Sequence, residues 1–451
     1  MMSRQSHRLL GLTIGMALLS ATASAQLLGG GLVPGLPNLP VVGPVLGPDL
    51  GPDLGGVLGS GGRQAGGGTG PIAQTLDSLG LPDSIASLSE TSLLDLRRLR
   101  LRQLVRDHRD TLDADPQGNP VRRGELVAVD PDPASLAAAR AAGFPVVRAD
   151  TDPELGLTSV VLGTPARMSA REALNRLRAA APRLAADYNH LFEPAGGALA
   201  ASSAALAMSG GTPSSLRIAM IDGGVANHPS FAGTSIEQRA FAGRAKATGH
   251  GTAVASLLIG EDGRFRGAAH GAALFVADVY GGDQAAGSAD AVVRALAWAA
   301  SKRPSVINVS LVGPSNLLLE RAIAAVIRRG IPVVAAVGND GPAAPPQFPA
   351  SFAGVVGATG VDANDRALPE AGRSPGLAFA APGADMAAAL PGRGYARVRG
   401  TSFAAPLVAA RLAATGSPER LAAEAVRGKG KVGRGIVCKP CRIDPKWVGA
   451  K

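Results

Sequence analysis

The chain has 451 residues, 46% of them hydrophobic and 18% charged, which supplies core for two or three folded units and excludes a disordered polyelectrolyte. The formal charge is +10, but only 3% of residues are aromatic, so no base-stacking surface accompanies the charge. No nucleic-acid motif is present, and the excess reads as an arginine-rich solvated surface.

Residues 1–25 have the form of a secretory signal peptide. Arg4 and Arg8 precede the short apolar run 9–21, and Ala23-Ser24-Ala25 offers a small-x-small cleavage pattern before Gln26. The run is short for a bilayer span, and an uncleaved anchor is the alternative. An exported protein, periplasmic or secreted, is expected. Residues 26–75 are rich in Gly, Pro and Leu and repeat Gly-Pro-Asp-Leu at 47–54, a composition that cannot offset its ordering entropy; a flexible segment is expected.

Residues 76–121 form a basic helical segment. Within it, 91–107 place Leu93, Leu94, Leu96, Leu99, Leu101, Leu104 and Val105 between five arginines, the pattern of a basic amphipathic helix. Such a helix either meets an anionic membrane surface or packs on the next domain with its arginines in water; the second is expected.

Residues 122–194 change character. Strands are predicted at 125–129, 144–148, 157–162 and 184–188, and helices at 133–142 and 169–180, the latter starting on the capping-box pattern Ser169-Ala170-Arg171-Glu172. The order β-α-β-β-α-β predicts a small α+β domain of ferredoxin-like form. Residues 195–214 are small and polar, an accessible linker.

From 215 onward strands and helices alternate. Strands are predicted at 217–221, 273–279, 305–310, 332–336 and from 354, with helices at 289–301, 317–329 and 402–413. That alternation predicts a three-layer α/β domain with a mostly parallel sheet, and in such sheets ligands bind at the carboxyl ends of the strands. Four polar residues fall there or at helix starts. Asp222 ends the first strand, where a carboxylate can orient an imidazole. His250 lies in Gly249-His250-Gly251-Thr252, ahead of small residues at helical spacing. Asn339 follows a buried strand in Gly338-Asn339-Asp340-Gly341, where an amide can donate to an oxyanion. Ser402, in Gly400-Thr401-Ser402-Phe403, opens a helix whose free N–H groups and positive end favour the same oxyanion. Each has an ordinary alternative: a strand-end Asp, a satisfied His, a turn Asn, an N-cap Ser. His228 and His270 have no motif around them and read as non-catalytic.

Taken together, in the order Asp, His, Asn, Ser, these blocks resemble the four signatures of the subtilase family of serine proteases. Phe379-Ala380-Ala381-Pro382-Gly383 is similar to a further block of that family, and the resemblance covers about 215–415. It implies a subtilisin-like catalytic domain, an endopeptidase with Asp222, His250 and Ser402 as triad and Asn339 in the oxyanion hole. It also implies a substrate-binding strand at Ser310, Leu311, Val312 and Gly313, and a second pocket wall at Ala336, Val337 and Gly338. The partners implied are polypeptide substrates and the chain's own N-terminal pro-domain, at 122–194, with maturation in 195–214 and a permanently attached domain as the alternative. Three purposes compete: a broad endopeptidase accepting apolar side chains, an enzyme restricted to one partner, and a silent binding scaffold. The sequence departs from the family at Gly223, where Ser or Thr is usual, at Ala253, where a second His is common, and at Val312, where Gly is frequent. No cofactor is required; structural calcium stays open, without an Asp-x-Asp-x-Asp-Gly loop to support it. In the C-terminal tail, Cys438 and Cys441 form a C-x-x-C for which a local disulfide is expected in an exported chain, with free thiols, metal binding and intermolecular pairing as alternatives.

Overall fold

The computed structural model describes residues 89–195, 202–204, 215–392 and 394–450. The segments expected as signal peptide (1–25) and Gly/Pro-rich arm (26–75), and most of the linker 195–214, lie outside the described residues.

The first folded layer is an antiparallel sheet in the spatial order Ala186–His190, Pro120–Val129, Leu157–Gly163, Val146–Asp152. Helices Pro133–Ala141 and Ala170–Ala180 connect the strands, which completes the βαββαβ ferredoxin-like pattern. The second helix starts as its sequence requires: Ser169 Oγ accepts the Glu172 N–H, and the Glu172 carboxylate accepts the Ser169 N–H. The sheet begins earlier than expected. Leu112–Ala114 pairs with the start of Pro120–Val129, so part of the segment assigned to the basic helix is already sheet.

The larger domain is built on seven parallel strands ordered Leu377–Pro382, Val356–Val361, Val333–Ala336, Val306–Val309, Arg217–Asp222, Ala273–Asp278, Ser235–Ala240. The central strands are buried along their length apart from Arg217 at one start, as runs such as Val306-Ile307-Asn308-Val309 require of a sheet covered on both faces. Helices Gly249–Ile259 and Thr401–Thr415 pack in one apolar cluster, and Ala289–Ser301 and Leu317–Arg328 in the other. Cys438 and Cys441 are joined as a disulfide, and the chain before them is fastened to the edge strand by the Val437 N–H donating to the Ala380 carbonyl.

The two layers share a core. Val127, Val129, Leu157 and Val161 of the small sheet pack in one cluster with the helices Ala289–Ser301 and Leu317–Arg328. The strand Ala186–His190 also satisfies both helix starts: Asp187 Oδ2 accepts the Leu317 N–H at 2.9 Å, and Asn189 Oδ1 accepts the Asp290 N–H at 3.2 Å. Arg148 pairs with Asp290 beside them.

The basic helix spans Glu90–Asp107 and packs on the folded domains. The expectation that its arginines all lie in water is corrected. Arg97 occupies the buried stripe between Leu93 and Leu101 and pairs with Asp340, and Arg100 pairs with Asp340 and Glu193. A guanidinium one turn from buried leucines on both sides needs a partner, and a carboxylate of the catalytic domain provides it.

Candidate active site

Asp222, His250, Asn339 and Ser402 lie on four separate segments, and the fold brings them together at the carboxyl end of the parallel sheet. Asp222 closes the strand Arg217–Asp222, and its Oδ1 accepts two hydrogen bonds, from His250 Nδ1 at 2.9 Å and from the Gly223 N–H at 2.6 Å. With Nδ1–H committed to a carboxylate, the His250 Nε2 lone pair is left as a proton acceptor. The helix carrying His250 is capped by Thr248, whose Oγ1 accepts the Gly251 N–H. Ser402 stands in the first turn of Thr401–Thr415, where the helix supplies no acceptor for the N–H groups. Asp222 Oδ2, His250 Nε2 and Ser402 Oγ are buried and have no hydrogen-bond partner among the described residues. Unpartnered buried polar atoms are costly for stability, and these three mark a site reserved for chemistry.

Two residues that sequence reasoning missed hold this geometry. The Thr401 N–H donates to Asn339 Oδ1 at 2.9 Å, and Thr401 Oγ1 accepts the Gly338 N–H at 3.2 Å. Asn339 is thereby fixed with its Nδ2 group free to donate, and Nδ2 donates to the Ala195 carbonyl. The signal was present as the residue before Ser402, but nothing in the sequence linked it to Asn339. Asp278 is the second. It sits level with Asp222 on the next strand and accepts N–H groups from Lys246, Tyr280 and Gly281. Burial raises its pKa, with the Asp222 charge adding to the effect. Its three hydrogen bonds tie the approach to the His250 helix to the loop that carries Tyr280.

The polypeptide itself occupies the groove. Leu191 bridges Ser288, and the Phe192 N–H donates to the Gly287 carbonyl. Glu193–Pro194 pairs antiparallel with Leu311–Val312, and the Ala195 N–H donates to the Ser310 carbonyl at 3.0 Å. Phe192 through Ala195 thus run as a strand between two segments of the larger domain, ending with the Ala195 carbonyl on Asn339. Tyr280 Oη donates to the Phe192 carbonyl, and the ring of Phe192 lies so close to Gly313 that a Cβ there would meet it at 2.5 Å. Ser310 pairs with the strand through its backbone only; its hydroxyl donates to the Ser402 carbonyl at 3.1 Å and so braces the serine helix. Val312 packs in the cluster that contains Ala195. Val312 and the buried Gln347, a further residue not found from sequence, approach Gly338 from two sides: an added Cβ there would lie 3.6 Å from Val312 Cγ1 and 3.0 Å from Gln347 Cγ. Ala336 and Val337 are fully buried.

His228 is buried and satisfied away from this site, its Nδ1 accepting the Ser230 N–H and its Nε2 facing the Gly394 carbonyl. His270 lies near the Gly267 carbonyl. Among the described residues, no three His, Cys, Asp or Glu side chains gather as a metal site.

A serine, a histidine and an aspartate beneath a bound peptide strand, on a doubly covered parallel sheet, define the class as serine peptidase. The Subtilase family profile (Peptidase S8) matches residues 214–427. Over 203 residues the chain is 32% identical to Subtilisin BL of Lederbergia lenta, covering 44% of this chain and 75% of that one. Over 172 residues it is 30% identical to the Major intracellular serine protease of Bacillus subtilis (strain 168), covering 37% of this chain and 54% of the other. Fervidolysin from Fervidobacterium pennivorans, described as a keratinolytic enzyme related to subtilisin, has the same fold. It matches with a TM-score of 0.57 at 20% identity, over 70% of this chain and 60% of that one. The chain belongs to the subtilase family and is a serine endopeptidase.

Proposed function

We propose that this subtilase is an exported zymogen that cuts its own chain between Ala195 and Gly196, using Asp222, His250 and Ser402 as triad and Asn339 with the Ser402 N–H as oxyanion hole. The observation that carries the proposal is the Ala195 carbonyl, held by Asn339 Nδ2 at the end of a strand paired with Leu311–Val312. A carbonyl in that position is the one a serine at the helix start attacks.

The chemistry follows from the roles proposed for these groups. Ser402 Oγ adds to the Ala195 carbonyl carbon while His250 Nε2 takes its proton. Asp222 steadies the imidazolium through Nδ1. The oxyanion is met by the Asn339 amide, a donor worth ~3 kcal/mol to the transition state. His250 then returns the proton to the Gly196 nitrogen as the C–N bond breaks, and water later releases Ala195 from the acyl-enzyme. No cofactor enters these steps. The 89–195 portion acts as pro-domain. It supports the two helices of the catalytic domain and leaves Ala195 as a bound product. Polypeptides replace that tail in the mature enzyme. Val312 and Gln347 beside Gly338 favour a small residue, such as alanine, on the acyl side of the cut bond, which narrows the expected apolar preference. Export rests on residues 1–25 and suits the Cys438–Cys441 disulfide.

Intact mass and N-terminal sequencing of the protein beside its Ser402→Ala variant test this. The wild type is expected to show a new N-terminus at Gly196 and the variant to stay whole. Equal cutting of both, or a new terminus elsewhere, would refute the assignment.

A further inference from the structure

Helix Glu90–Asp107 lies outside the ferredoxin-like unit, yet two of its arginines form ion pairs with Asp340 beside Asn339. Its buried stripe is Leu93, Arg97, Leu101. Leu93 packs on Gly341, where an added Cβ would meet it at 2.9 Å. Arg97 Nε lies 3.1 Å from Asp340 Oδ2, with side chains only 10% and 8% exposed. Arg100 Nη1 lies 3.1 Å from Asp340 Oδ1, and its Nη2 lies 3.3 Å from Glu193 Oε2. Arg97 is anchored from behind by Asn119 of the pro-domain. Asp340 is therefore gripped on both oxygens, next to Asn339, while Arg100 bridges it to the tail that fills the groove.

We propose that the loop 339–341 is a docking surface for this arginine helix, and that the helix is an electrostatic latch keeping the cut pro-region on the enzyme. The proposal rests on self-cleavage after Ala195. Once that bond is broken, the pro-region stays on the enzyme through strand pairing, the shared core and the helix-start contacts of Asp187 and Asn189, none of which carries a full charge pair to the active-site rim. The latch adds two guanidinium contacts that an ordinary product lacks, and one of them, Arg97 to Asp340, is removed from water and little screened by salt. Arg100 is 42% exposed, so its bridge weakens as ionic strength rises. Loss of a desolvated charge pair acts on the dissociation rate. The latch thus separates cutting from activation: the chain is cleaved first and becomes active when the helix lets go.

The experiment uses the full chain, following cleavage by intact mass and activity with a chromogenic peptide ending Phe-Glu-Pro-Ala. In wild type, activity is expected to lag behind cleavage, with the lag shortening between about 0.05 and about 0.5 M salt. In Arg97→Gln/Arg100→Gln, cleavage at Ala195 is expected to keep its rate, while activity appears about tenfold sooner and loses most of its salt dependence. Arg98→Gln, on the exposed face of the same helix, is expected to behave as wild type. A double variant that is cut but keeps the wild-type lag overturns the latch, as does an equal effect from Arg98→Gln. If the double variant does not accumulate, Arg100→Gln alone decides: it should shorten the lag in part, and no change overturns the proposal. If wild type itself is never cut, the mass record shows it before any activity is read, and the latch falls together with the self-cleavage it rests on.

Discussion

Gly223 follows Asp222 where the family resemblance leads one to expect Ser or Thr, and its surroundings account for a glycine. A Cβ at 223 would lie 2.3 Å from Thr248 Oγ1, the hydroxyl that caps the His250 helix. The space beside the aspartate is already taken by that cap. Gly223→Ser in the Ser402→Ala background is therefore expected to cost about 1–3 kcal/mol of stability by overpacking. Urea unfolding measures it, and a double variant with Thr248→Ala should lose less than the sum of the singles. A neutral Gly223→Ser would show that the cap can move aside. The departure was visible in the sequence; its cause was not, because 25 residues and a change of strand separate 223 from 248.

At the scale of elements, the substrate strand is decided by what leans on it. Leu311–Val312 offers the backbone that pairs with Glu193–Pro194, and any sequence there could do so. Selection comes from side chains. Val312 shares its cluster with Ala195, and Gln347 closes on Gly338 from beyond the strand Val333–Ala336. Val312→Gly is expected to raise kcat/KM for peptides with Leu or Phe at the cut bond, relative to Ala, by about tenfold, the scale of a methylene or two in a pocket. A series of peptides differing only at that residue is the measurement, and an unchanged ranking would move the selectivity elsewhere. Val312 was legible as a departure from a family pattern. Gln347 was not, since it enters the pocket from a loop with no motif of its own.

For the whole molecule, the small sheet and the catalytic domain form one core, and the strand Ala186–His190 completes the starts of two helices that belong to the enzyme. Asp187→Ala in the uncut Ser402→Ala chain is expected to lose about 1 kcal/mol, the worth of a helix-start acceptor, seen as a fall of a few degrees in Tm. Under the proposed cut after Ala195, the separated mature enzyme lacks Asp187 and, made with and without the same change, should melt identically. A shift in the mature form would mean that the pro-domain leaves a lasting imprint on the fold. Among the described residues no helix is long and apolar enough to cross a membrane.

The sequence by itself determined the alternation of the central strands and helices, the strand ends that carry Asp222 and Asn339, and the helix starts that carry His250 and Ser402, but not the two edge strands Ser235–Ala240 and Leu377–Pro382. Those follow from local rules: apolar runs of strand length, capping side chains, and glycines at turns. It also marked a ferredoxin-like unit and a linker after it. Only the tertiary structure decided what fills the groove, how Thr401 orients Asn339, and why Arg97 can lie in a buried stripe. Each of these depends on pairs far apart in the chain meeting at a fixed distance. Arg97 and Asp340 attract each other only once two domains have packed, and no local pattern records that meeting.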